Sequence, residues 1–128
     1  MIRYLSTEEE EAIKAKIVWE NIEPGIREIV WVANSIDGIA TVQSCQGHVD
    51  PPRDESEGFH IRNTLICIRT TRERAEQILF KYGPKYLRED VSIRYFHDGW
   101  FWLCLEAEPG ENKGRLRKLF MEMKEDAK

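Results

Sequence analysis

Thr41-Val42-Gln43-Ser44-Cys45-Gln46-Gly47-His48 concentrates more reactive chemistry than any other stretch of the chain. A thiol at Cys45 and an imidazole at His48 stand three residues apart, and Gly47 between them lets the backbone turn sharply. Three chemistries suit that spacing. In the first, Cys45 is a nucleophile that reacts as its thiolate, His48 is the base and Asp50 orients the imidazole. Pro51-Pro52 prevents a helix from starting just after the cysteine, so no helix dipole helps to form the thiolate. In the second, Cys45, His48 and His60, with Asp50 or Asp54, hold a divalent metal such as zinc. A single cysteine in this region argues for a site with an open coordination position rather than a closed structural one. In the third, Ser44, Gln46, His48 and the Gly47 backbone bind a ligand without covalent chemistry, and Arg53, Arg62 and Arg69 receive an anion. Against all three stands a plain turn whose Ser44 and Gln46 satisfy loop backbone groups.

These residues need a scaffold, and the hydrophobic periodicity supplies one. Ser6 with Glu9, or Thr7 with Glu10, forms a capping box, and Ala12, Ile13, Lys16, Ile17 and Glu20 continue at helical spacing. Pro24 opens a second helix with Ile26, Ile29, Val30, Ala33 and Ile36 on its apolar face, and Asp37-Gly38 ends it. Ile39 to Ser44 reads as a short strand delivering Ser44 and Cys45 to its end. Gln46 to Arg62 is a polar connection longer than most in compact domains, and Asn63 to Arg69 is a second, nearly all-apolar strand. Thr70 or Thr71 caps a third helix with Ala75, Ile78, Leu79 and Tyr82 inward, ended by Gly83-Pro84. Asp98-Gly99 predicts a two-residue hairpin turn between Val91–His97 and Trp100–Ala107. That turn sets His97 opposite Trp100, Tyr95 opposite Trp102 and Ile93 opposite Cys104, so one face carries Tyr95, Trp100 and Trp102 as an aromatic platform or an interface. Asn112 to Lys124 is a final helix with Leu116, Leu119, Phe120 and Met123 inward.

The order ααββαββα predicts an α+β (or α/β) fold: a four-stranded, mostly antiparallel or mixed sheet with helices mainly on one face. At 128 residues, the chain is expected to be a single domain over 1–128. With 41% hydrophobic and 33% charged residues it has the composition of a globular protein, not of a disordered one. No apolar run reaches the roughly 18 residues of a membrane span, and Met1 to Ser6 leads straight into acids rather than a signal peptide; a cytoplasmic location is expected. Cys67 and Cys104 sit in apolar strand-like runs and read as buried thiols. The net charge of −4 disfavours tight nonspecific nucleic-acid binding. Yet residues 62–94 hold eight basic against four acidic side chains, a balance of +4 that suits RNA, a phosphorylated ligand or simply a solvated helix surface.

The segment from Ile36 to Asp50 resembles the Thr-x-x-Ser-Cys-x-Gly-His signature of small microbial and phage proteins. More distantly it is similar to the tRNA wybutosine-synthesising protein 3 family, in which a helix precedes a strand ending in a Ser-Ser-Cys-Ser-Gly-Arg-like motif. The likeness runs through Ile26–Ile36, Thr41–Gly47, Thr64–Ile68 and Arg72–Lys81, about half of the chain. Here Gln43 replaces a small hydroxyl residue, Gln46 a serine, and His48 an arginine. The resemblance implies methyl transfer from S-adenosylmethionine to RNA, with Ser44, Cys45 and Gly47 as site residues. In that reading, His48 is the donor or base, and Arg62 and Arg69 hold phosphate. The competing expectation is a noncatalytic metal- or ligand-binding module, a homodimer whose Tyr95/Trp100/Trp102 face is the interface.

Overall fold

The computed structural model describes residues 1–45, 64–87, 91–95, 99–107 and 113–128. The chain is α+β, and each element has a local cause. Helix α1 (Thr7–Ala15) starts at a complete capping box: Glu9 N–H donates to Ser6 Oγ, and Ser6 N–H donates to the Glu9 carboxylate. After α1 the chain tightens into a single 3₁₀ turn at Trp19–Asn21. Helix α2 (Pro24–Asn34) has proline in its first turn and buries Ile26, Ile29, Val30, Val32 and Ala33. Gly38, at φ 90°, then reverses the chain into strand β1 (Ile39–Cys45).

Strand β2 (Thr64–Thr70) is buried at every position. It pairs antiparallel with β1 on one side and with β4 (Phe101–Ala107) on the other, and β3 (Val91–Tyr95) pairs with the far edge of β4, giving the order β1-β2-β4-β3. Alternation along β2 and β4 divides their side chains between two faces. Ile66, Ile68, Leu103 and Leu105 point into the main core with α2, α3 (Arg72–Gln77) and α5 (Lys113–Asp126), where Leu116, Leu119, Phe120 and Met123 are buried. Leu65, Cys67 and Cys104 form a separate small cluster on the opposite face, with Val42 and Trp102 packed against it.

Two expectations need correction. Gly83-Pro84 does not end the third helix. The chain widens into a π turn at Ile78–Tyr82 and continues as α4 (Gly83–Tyr86), with Gly83 right-handed and its N–H donating to Ile78 O, five residues back. Changing the hydrogen-bond partner one turn before Pro84 moves the carbonyl its ring would strike, so the helix survives the proline.

The β3–β4 pairing is one residue out of the expected register: Tyr95 faces Phe101, Arg94 faces Trp102 and Ser92 faces Cys104. Tyr95 therefore stands opposite Phe101 rather than Trp102, and Phe101, Leu103 and Leu105 pack in the main core with the helices. The cause lies far away in sequence. Arg3 N–H donates to Gly99 O at 2.7 Å, and Phe101 N–H donates to Arg3 O at 3.1 Å. Gly99 sits at φ 77°, and a Cβ there would lie 2.0 Å from Met1 O. The N-terminal segment, bridged in parallel to Trp100 through Arg3, thus shapes the start of β4. Among the described residues no helix is long and apolar enough to cross a membrane.

Candidate functional site at the end of strand β1

Strand β1 delivers the first two residues of the motif. Ser44 lies opposite Ile66 and Cys45 opposite Leu65, so the strand ends flanking residues 46–63 are side by side. Gln46, Gly47, His48, Asp50, Arg53, Asp54, His60 and Arg62 fall outside the described residues. The nucleophile and metal readings of Cys45 and His48 both depend on them. Among the described residues no group of three His, Cys, Asp or Glu side chains could hold a metal ion.

Ser44 opens onto a cavity of about 440 Å³ beside β1. Thr41, Val42, Gln43 and Ser44 form one wall. Four consecutive strand residues line it because β1 carries a register irregularity between Thr41 and Gln43, which turns neighbouring side chains toward the same space. The opposite wall is the end of α1 and the 3₁₀ turn: Ile13, Lys16, Ile17, Val18, Asn21 and Ile22. Val30 of α2 forms the floor. The lining is thus mostly aliphatic, with one cation (Lys16), two amides (Asn21, Gln43) and two hydroxyls (Thr41, Ser44). Thr41 is already committed: its Oγ1 accepts from Asn34 Nδ2 at 2.8 Å and its N–H donates to Asn34 Oδ1 at 3.0 Å. That pair anchors the bulged strand to α2.

Lys16 and Asn21 were not among the expected site residues. The sequence spacing predicts one helix running on through Glu20, with Ile13, Lys16, Ile17 and Glu20 along one side of it. The end of α1 at Ala15 and the tight turn that follows fold this stretch against the β1 edge instead.

Arg69 is placed differently from the phosphate-binding role expected of it, and that expectation is corrected here. It is 1% exposed. Its Nη1 donates to Glu9 Oε2 at 2.7 Å, its Nη2 donates to Arg3 O at 3.1 Å, and its guanidinium carbon sits 4.9 Å from the centroid of the Trp100 ring. Arg3 approaches the same ring at 5.8 Å. Partial burial tends to raise the Glu9 pKa, but the hydrogen bond and charge of Arg69, helped by Ser6, outweigh it and hold the carboxyl below its ordinary value. Arg69 fastens α1 and the N-terminal segment to the sheet and has no side to offer an external anion.

No protein-family model, curated protein or solved structure matches the chain.

Proposed function

We propose that this protein binds a small organic ligand in the cavity beside β1, and that the motif beginning at Ser44 supplies the site's polar chemistry. The observation that carries this reading is that Ser44, where the Ser-Cys-Gln-Gly-His turn begins, lines a cavity of about 440 Å³. Its volume of about 440 Å³ falls within the roughly 300–1,000 Å³ of small-molecule sites, and its aliphatic walls with a few convergent polar groups have the usual composition of one.

The sharpest form of the proposal is methyl transfer to an RNA nucleoside, the chemistry implied by the resemblance to the wybutosine-synthesising family. S-adenosylmethionine would supply an electrophilic methyl group. The residues present suit it: Lys16 matches a carboxylate, Asn21, Gln43 and Ser44 offer donors and acceptors for an amino acid or ribose, and Ile17, Val18 and Ile22 suit an apolar chain or ring. In this reading His48 takes the proton released by the methylated group, Cys45 and Gly47 shape the turn, and Arg62 holds RNA phosphate. Arg69 has no part in it.

Thermal unfolding with and without S-adenosylmethionine tests the proposal. Binding to the folded state alone stabilises it by about 2.7 kcal/mol at a hundredfold excess over the dissociation constant. The native protein is expected to show such a shift, and Ser44→Ala and Lys16→Ala to lose most of it. No shift at saturating cofactor would remove methyl transfer. Fragment binding by NMR that left Ser44 and Lys16 unperturbed would remove the cavity itself.

A further inference from the structure

Cys67 and Cys104 face each other across β2 and β4, the two interior strands of the sheet. They are 37 residues apart in sequence, both are fully buried, and their Sγ atoms are 2.6 Å apart. That separation is only about half an ångström more than the roughly 2.05 Å of a disulfide bond. Closing it requires no strand to move by a register position. The pair lies on the sheet face away from α2 and α5, packed with Val42 and Trp102, both of which are only partly buried.

We propose that Cys67 and Cys104 are a redox-active dithiol, oxidised by a hydroperoxide to a disulfide that joins the two central strands. One thiol, as its thiolate, attacks a peroxide oxygen. The O–O bond breaks, and hydroxide leaves with the thiol's proton as water, giving a sulfenic acid. The facing sulfur then attacks the sulfenic sulfur. The S–O bond breaks, the S–S bond forms, and the second proton leaves with the hydroxide as a second water. Two thiols and one hydrogen peroxide give one disulfide and two waters. A dithiol reductant reverses the change by exchange through a mixed disulfide. In a reducing compartment such a pair rests as the dithiol and is oxidised transiently.

The test treats the folded, full-length protein with hydrogen peroxide, quenches it, unfolds it and alkylates the remaining thiols. The chain has three cysteines, so Cys45 is an internal reference. Intact mass is expected to show one alkylated cysteine instead of three and the loss of two hydrogens. Peptide mapping is expected to find Cys67 joined to Cys104, and dithiothreitol to restore three alkylated positions. Cys67→Ser and Cys104→Ser, checked for folding by circular dichroism, should give no internal crosslink. Three alkylated cysteines after peroxide, oxidation that stops at sulfenic or sulfinic acid, or a crosslink through Cys45 would each overturn the proposal.

Discussion

The two faces of the sheet are built from alternate residues of the same strands, yet they hold different kinds of matter. Toward α2 and α5, Ile66, Ile68, Leu103 and Leu105 meet Leu116, Leu119 and Phe120, and the layer is mostly hydrocarbon. On the other face, Leu65, Cys67 and Cys104 meet Val42 and Trp102, and Arg69 is sunk among Glu9, Arg3 and Trp100. A face closed by amphipathic helices offers few polar partners, so mostly apolar side chains are stable there; the exceptions are paired, as Tyr82 is with Asp126 of α5 and Thr41 with Asn34 of α2. The other face is closed by α1 and the N-terminal segment, which bring a carboxylate and a backbone carbonyl. A buried guanidinium and two thiols can be kept there. Strength is concentrated on the first face and adaptable chemistry on the second.

The contrast can be broken most forcefully at Phe120. Phe120→Ala empties the fully buried centre of the helix-covered face and is expected to cost about 3–5 kcal/mol in denaturant unfolding.

Glu9→Gln comes next. It leaves the Arg69 charge inside the protein without its counter-charge, at an expected cost of about 2–4 kcal/mol; the 37% exposure of Glu9 places the effect below that of a fully enclosed pair. Arg69→Met, which removes the charge but keeps the volume, should cost much less. The pH dependence has a definite sign. The Glu9 carboxyl is held below its ordinary value of 4.5, so its contribution is fully present above that value and is lost as pH falls through the lowered one. The stability gap between native protein and Glu9→Gln should thus be flat at neutral pH and close in acid.

Gly38→Ala probes the joint between the two faces. Gly38 N–H donates to the Glu10 carboxylate of α1, while an added Cβ would meet Arg74 Cγ at 2.9 Å and Thr71 Oγ1 at 3.0 Å, at a φ of 90°. About 1–3 kcal/mol should be lost, and Gly38→Asn, which tolerates that backbone, should lose less.

The smallest effect is expected at Ser6. Ser6→Ala should cost about 1 kcal/mol as a lost cap. Because Glu9 N–H donates to Ser6 Oγ while Glu9 Oε2 accepts from Arg69, a coupling between Ser6→Ala and Arg69→Met in a double-mutant cycle would show that the cap also positions the ion pair.

Much of this arrangement was legible because its causes are local. The capping box at Ser6 and Glu9, the proline at the start of α2, the Thr71 cap of α3 and the inward stripe of α5 all depend on residues within a turn or two of each other. The unbroken apolar run of β2 likewise announced burial on both faces. What could not be read depended on distant partners. Asp98-Gly99 suggested a two-residue turn, but the conformation at Gly99 is tied to Met1 and Arg3, about a hundred residues earlier. Arg69 suggested an anion receptor because its carboxylate partner is 60 positions away on a helix. At the candidate site, the strand end at Ser44 was visible from β-pattern and turn residues. Lys16 and Asn21 were hidden by a helical spacing that continues past the point where α1 stops.

The N-terminal segment also has a consequence for the order in which the molecule assembles. Leu5 N–H donates to Thr70 O, and Arg3 is hydrogen-bonded to Gly99 and Phe101, so this segment finds its partners only after β2 and then β4 have been synthesised. These contacts join residues far apart in sequence, and loop-closure entropy makes such contacts slow to form. The segment therefore acts as a latch closed in two stages: Leu5 can join β2 first, while Arg3 has no partner until Gly99 and Phe101 arrive.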